Sequence, residues 1–100
     1  MSEAQSPGRV VIGPASKPAL PRGVKMRHDA TRDRWTILAP ERVFEPDAIA
    51  VAVLQLCDGV RSVEVIAAEL ANTYNAPRER ILADIVTMLQ GLADKGVVVA

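Results

Sequence analysis

Hydrophobic and polar positions change rhythm along this chain, and each change marks an element. From Val24, "VKMRHD" alternates Val24, Met26 and His28 with Lys25, Arg27 and Asp29, the period of a half-buried strand. The turn residues "ATRD" follow, and "RWTIL" continues as a second strand with Trp35 and Ile37 on one face. Trp35 is expected to supply most of the aromatic bulk under the sheet. A hairpin alone is marginal in water, so a third strand or a helix has to pack on it. The stretch Arg42-Val43-Phe44-Glu45, shut between Pro40 and Pro46, is the candidate third strand.

Beyond Pro46 the period lengthens. From Asp47 to Cys57 only Asp47 and Gln55 are polar, and a helix apolar nearly all round is a buried one, here the central helix of the core. Pro46 suits its first turn and Asp58-Gly59 its end. Ser62 is placed to cap a second helix with Glu64 at its positive end and an apolar stripe of Val63, Ile66, Ala67, Leu70 and Tyr74. "NAP" separates it from a third, which Pro77 starts and Gly96 stops. "VVVA" either adds a short strand or simply packs. On the third helix the apolar residues from Ile81 to Ala93 spread over an arc of about 160°, wider than the ~100° a core-facing stripe needs. Either the first two helices cover all of it, or one edge, near Ile81, Ile85 and Met88, lines a groove.

The front of the chain follows no such pattern. Residues 1–21 hold four of the seven prolines and two of the six glycines, with a single apolar run, Val10-Val11-Ile12. Such a segment buries too little surface to offset its ordering entropy. Residues 1–20 are therefore expected to be a disordered tail or linker, and residues 21–100 the domain.

Composition narrows the function. The chain has 100 residues, 49% hydrophobic but 3% aromatic, so aliphatic side chains fill one small core. Twelve Lys and Arg balance twelve Asp and Glu, which leaves no general field for nucleic acid or an anionic membrane. The balance is uneven: residues 1–34 carry seven basic and three acidic side chains, residues 35–100 five and nine. A single cysteine, Cys57, fits a reducing compartment. No secretory leader pattern and no apolar run of about 18 residues are present, and a cytoplasmic location is expected.

Catalytic groups are sparse. His28 is the one histidine and has no second ligand at metal spacing. Cys57 falls on the apolar helix, where a thiol is a small inert hydrophobe. The acids are scattered, and the glycines punctuate turns and helix ends without forming a phosphate loop. The chain reads as no enzyme by itself, with no cofactor. A tight second-to-third helix connection has the layout of a helix-turn-helix, but Arg78, Arg80 and Lys95 are offset by Glu79, Asp84 and Asp94, which argues against readout of DNA.

Together, "LPRGVKMRHDATRDRWTILAPERVFE", "LCDGVRSVEVIAAELANTY" and "LADKGVV" resemble the PqqD family of pyrroloquinoline quinone biosynthesis over residues 20–99. The ordered combination of Trp35, "LAPERV" at 38–43, the Asp58-to-Val63 box and "LADKG" at 92–96 is what makes the resemblance specific. Pro46 stands where the family commonly has an apolar residue, and the proline-rich front lies outside the shared pattern. The resemblance implies an α+β fold, winged helix-turn-helix-like, with a three-stranded antiparallel sheet followed by three helices. It also implies a peptide chaperone that binds the precursor peptide PqqA and presents it to the radical SAM enzyme PqqE. In some members the domain is fused behind the preceding pathway enzyme, so residues 1–20 resemble a severed or vestigial linker.

An open strand edge is ordinarily an aggregation hazard, but it also lets an extended peptide add as a further strand. The candidate peptide-binding residues are accordingly Arg42, Val43, Phe44 and Glu45 on the strand and Ile81, Asp84, Ile85 and Met88 on the third helix. Arg42 and Glu45 serve either to set register or to deter edge-to-edge pairing. Two other classes stay open: a winged-helix DNA-binding regulator, and a self-associating structural domain whose edge pairs with its own copy. A monomer or weak homodimer is compatible with peptide binding.

Overall fold

The structure is a computed structural model that describes residues 10–100. Three strands, β1 (Lys25–Asp29), β2 (Arg34–Ala39) and β3 (Arg42–Phe44), precede three helices, α1 (Ala48–Gln55), α2 (Val63–Tyr74) and α3 (Arg78–Asp94). The sheet is antiparallel in the order β1-β2-β3. Its first turn is fixed by Asp29, whose carboxylate accepts from the N–H groups of Thr31 (3.0 Å) and Arg32 (3.4 Å). Pro40 and Glu41 alone join β2 to β3, since Ala39 pairs with Arg42.

Register explains how so small a sheet holds together. Ile37 stands opposite Met26 on one side and Phe44 on the other, so one row of apolar side chains crosses all three strands. Ile37 is almost wholly buried, and Met26 and Phe44 pack against the core it belongs to. Trp35 shares that face by strand parity but is not part of the core. It is half-buried at the end of the sheet, where its ring lies 5.0 Å from that of His28, its partner in register. The expectation that Trp35 supplies most of the aromatic bulk under the sheet is thus corrected: it borders a shallow hollow with Pro46, Ala48 and Val51 at the start of α1, outside the core.

Capping sets the helix bounds. The Asp47 carboxylate accepts from the N–H of Ala50 (2.8 Å), which begins α1 at Ala48. The helix stops at Gln55 with Leu56 as its C-cap, earlier than Asp58-Gly59 would place it. Nor is α1 buried all round: Val51, Val53 and Leu54 are buried, while Ile49 is 62% exposed. The Ser62 hydroxyl accepts from Val65 (3.2 Å) to start α2. Asn75 ends α2 at φ 52°, a left-handed conformation that asparagine tolerates better than most residues. Pro77 then opens α3, and Gly96 at φ +79° lies just beyond its C-cap Lys95.

Residues 10–20 are packed, contrary to the expectation of a tail. Ile12 and Pro18 are buried, and Val10 rests on the core. Backbone N–H groups of Gly59, Val63 and Glu64 donate to the carbonyls of Pro18, Ser16 and Pro14. Ala19 and Val99 exchange N–H···O bonds of 2.8 and 2.9 Å, so "VVVA" meets this strap with Val97 and Val98 buried beside it. The strap holds because α2, α3 and the C-terminus offer it partners that the segment lacks on its own. The part of the tail expectation that concerns residues 1–9 lies outside the described residues.

Candidate peptide-binding groove

An open groove of about 340 Å³ runs along α3. Its floor is Val53 of α1, Leu70 of α2 and Ile85 of α3, all buried. Ile81 and Met88 flank Ile85 one helical turn to either side and are half-buried, so the surplus part of the α3 stripe does line a groove. Its rim consists of Ile49, Tyr74, Pro77, Arg80 and Asp84, all exposed. The α2–α3 turn shapes this end: Asn75 reverses the chain, and Ala76 and Pro77 close the wall.

Four of the residues expected to contact a peptide, Ile81, Asp84, Ile85 and Met88, therefore share one groove. The other four do not line it. Arg42, Val43 and Glu45 are exposed on or beside β3, with Val43 at 66%. Glu45 faces Arg34 at 3.9 Å, with both side chains largely in solvent, an arrangement that contributes little to stability. Phe44 turns inward to the core, and Lys95 Nζ lies 5.9 Å from its ring centre. β3 stands at the edge of the sheet, and among the described residues its outer side pairs with no other strand.

Sequence reasoning missed Ile49, Tyr74 and Arg80. Ile49 lies in a helix whose apolar residues give no sign of which face stays open, and Tyr74 continues the buried stripe of α2 although it is 50% exposed. Arg80 figured only in a charge count.

The groove offers apolar surface and two charges of opposite sign, with nothing arranged for bond making. Among the described residues no group of His, Cys, Asp and Glu is placed to hold a metal ion. Cys57 is buried and donates to the carbonyl of Val53 (3.3 Å). Burial, with the neighbouring Asp58 charge second, pushes its thiol up to about 12, so no thiolate forms near neutrality. Among the described residues no helix is long and apolar enough to cross a membrane.

Residues 34–98 match the family described as coenzyme PQQ synthesis protein D, PqqD. The chain belongs to the PqqD family. A "PqqA binding protein" of Rhodopseudomonas palustris strain BisB5 is 60% identical over 87 residues, which is 87% of this chain and 85% of that one. A "bifunctional coenzyme PQQ synthesis protein C/D" of Methylorubrum extorquens is 52% identical over 80 residues, 80% of this chain and 22% of that longer protein. The solution NMR structure of the PqqD truncation of Methylobacterium extorquens PqqCD superposes with a TM-score of 0.80 at 46% identity, covering 92% of this chain and 98% of that one. That protein is described as a functional, stand-alone recognition element for ribosomally synthesised and post-translationally modified peptides. The α+β fold expected from the PqqD resemblance agrees with this likeness, and so does a role in recognition rather than catalysis.

Proposed function

We propose that this domain binds the precursor peptide PqqA in pyrroloquinoline quinone biosynthesis and presents it to the radical SAM enzyme PqqE, acting in the cytoplasm without a cofactor of its own. The observation that carries the reading is the open apolar groove on α3 in a chain 60% identical to a PqqA binding protein. An extended segment of PqqA adds as a fourth strand along Arg42–Glu45. Main-chain hydrogen bonds supply affinity there, and apolar side chains entering beside Ile81, Ile85 and Met88 supply specificity. Asp84 meets the polar part of the peptide at the rim.

Titration of the 15N-labelled domain with PqqA peptide tests this reading. Amide shifts at residues 42–45 and 81–88, with cross-strand NOEs between the peptide and β3, are the expected result. An unchanged spectrum at saturating peptide would refute binding, and shifts without those NOEs would refute strand addition. Presentation predicts that PqqE co-elutes with the domain and peptide in gel filtration; a PqqE that excludes the domain when peptide is bound would overturn it.

A further inference from the structure

The sheet has two open edges, and β3 is only one of them. In the order β1-β2-β3, β1 borders β2 alone, and among the described residues no backbone hydrogen bond from the strap, the turns or the C-terminus reaches residues 25–29. Alternate residues of an antiparallel strand turn their N–H and C=O groups away from the neighbour they pair with. β1, five residues long against three for β3, therefore presents the longer row of unpaired donors and acceptors.

The side chains beside this row are cationic. Met26, Ile37 and Phe44 face the core, so Lys25 and Arg27, of opposite parity, stand on the outer face of the sheet, both exposed. In register, Lys25 faces Leu38 and Arg27 faces Thr36. Arg27, Thr36 and Leu38 border a shallow hollow of about 400 Å³ on that side.

The excess of positive charge survives a full count. Residues 17–45, which make up the sheet, its turns and the approach to it, hold seven Lys and Arg against four Asp and Glu. Of the four acids, Asp29 is engaged by the N–H groups of Thr31 and Arg32, Asp33 meets His28 at 3.0 Å, and Glu45 faces Arg34. Glu41 belongs to the β2–β3 turn. Lys17, Arg22, Lys25, Arg27 and Arg32 have no ion-pair partner among the described residues. The seven acids and four cations of residues 46–100 belong to the helical part, which packs on the other face of the sheet.

We infer that the β1 edge docks a partner protein, which adds an extended acidic segment as a strand along Lys25–Asp29. The backbone of that segment pairs with the free groups of β1, and its carboxylates lie on the outer face against Lys25 and Arg27. A nucleic acid would use the charge and leave the backbone row unpaired, so a protein strand is the better fit. The β1 edge lies on the opposite side of the sheet from β3. Both edges can be occupied at once, and the inference does not depend on the peptide-binding reading.

Amide spectra of the 15N-labelled full chain test it, with a synthetic acidic strand, acetyl-TEVEVEVT-amide, its lysine counterpart acetyl-TKVKVKVT-amide, and oligothymidylate as probes. The acidic strand is expected to shift residues 25–29 and to slow hydrogen exchange there. Lys25→Glu and Arg27→Glu, exposed positions whose folding circular dichroism checks, each weaken its binding about tenfold, and high salt weakens it in the wild type. Excess PqqA peptide leaves the shifts in place. The inference is overturned if the acidic strand leaves residues 25–29 unshifted at millimolar concentration, if the lysine strand or oligothymidylate binds there as tightly, or if exchange in β1 stays unchanged on binding. Displacement by PqqA peptide, or β1 shifts that grow with protein concentration alone, would give the edge to the precursor peptide or to a second copy and overturn it equally.

Discussion

The side-chain amide of Gln90 holds the backbone around Ile12: its Oε1 accepts from the Ile12 N–H at 2.9 Å, and its Nε2 donates to the Val10 carbonyl at 2.8 Å. One glutamine on α3 thereby satisfies a segment 78 residues earlier. Gln90→Ala leaves both backbone groups without that partner in a part-buried setting, and a loss of about 1–3 kcal/mol is expected. Urea unfolding measures it, and faster hydrogen exchange at the Ile12 amide shows that the strap has loosened.

Core truncation costs more. Leu89 is wholly buried, and Leu89→Ala lowers stability by about 2–5 kcal/mol. Val60, 74% exposed, is the control, since Val60→Ala changes stability by no more than about 0.5 kcal/mol. Equal urea midpoints for the two variants would contradict the packing described for α3.

Ser62→Ala removes the acceptor at the start of α2 and costs about 1 kcal/mol. In a domain of this size that lowers Tm by about 4–8 °C, a shift that calorimetry resolves.

Asp58 governs part of the acid limb of stability. N–H donation from Arg61 and then Val60, with the Arg61 guanidinium at 2.9 Å, holds its carboxyl below the usual carboxylate range. A depressed folded value stabilises the fold above the unfolded value near pH 4, and that contribution is lost as pH falls through the folded value. Asp58→Asn keeps an oxygen acceptor but removes the charge, so urea midpoints of the variant decline less steeply below about pH 4.

The Cys57 thiol, pushed up to about 12, stays protonated in the folded domain at pH 8. Iodoacetamide labelling at that pH therefore tracks unfolding, and denaturant accelerates it sharply. Rapid labelling of native protein would show that Cys57 opens without global unfolding.

Elements whose causes are local were legible in the sequence. Ser62 and Pro77 mark helix starts by side-chain chemistry alone, Pro40 and Pro46 frame β3, and the wide stripe of Ile81, Ile85 and Met88 leaves room for a groove without deciding whether the other helices cover it. Features that depend on where a neighbour ends were not. Trp35 has the same parity as Ile37, and parity cannot tell that only Ile37 reaches the core while Trp35 borders an open hollow beside α1. Ile49 is open because it faces the unfilled groove between α1, α2 and α3, and Ile12 is buried because the distant core and Gln90 hold its segment down. Neither fact has a trace in the adjacent residues. For the site, the four residues on α3 were found together, while the distance separating them from β3 required the fold.

The exchange of hydrogen bonds between Ala19 and Val99 has a consequence for synthesis. Hairpin partners leave the ribosome within a few residues of one another, so the sheet can form while translation continues. The strap cannot close then, because Ala19 pairs with Val99, far along the chain from it. Loop-closure cost and vectorial emergence both make this seam later than the hairpins, and until it closes, the places beneath Ile12 and Pro18 stand open on a nascent chain that already carries its β3 edge.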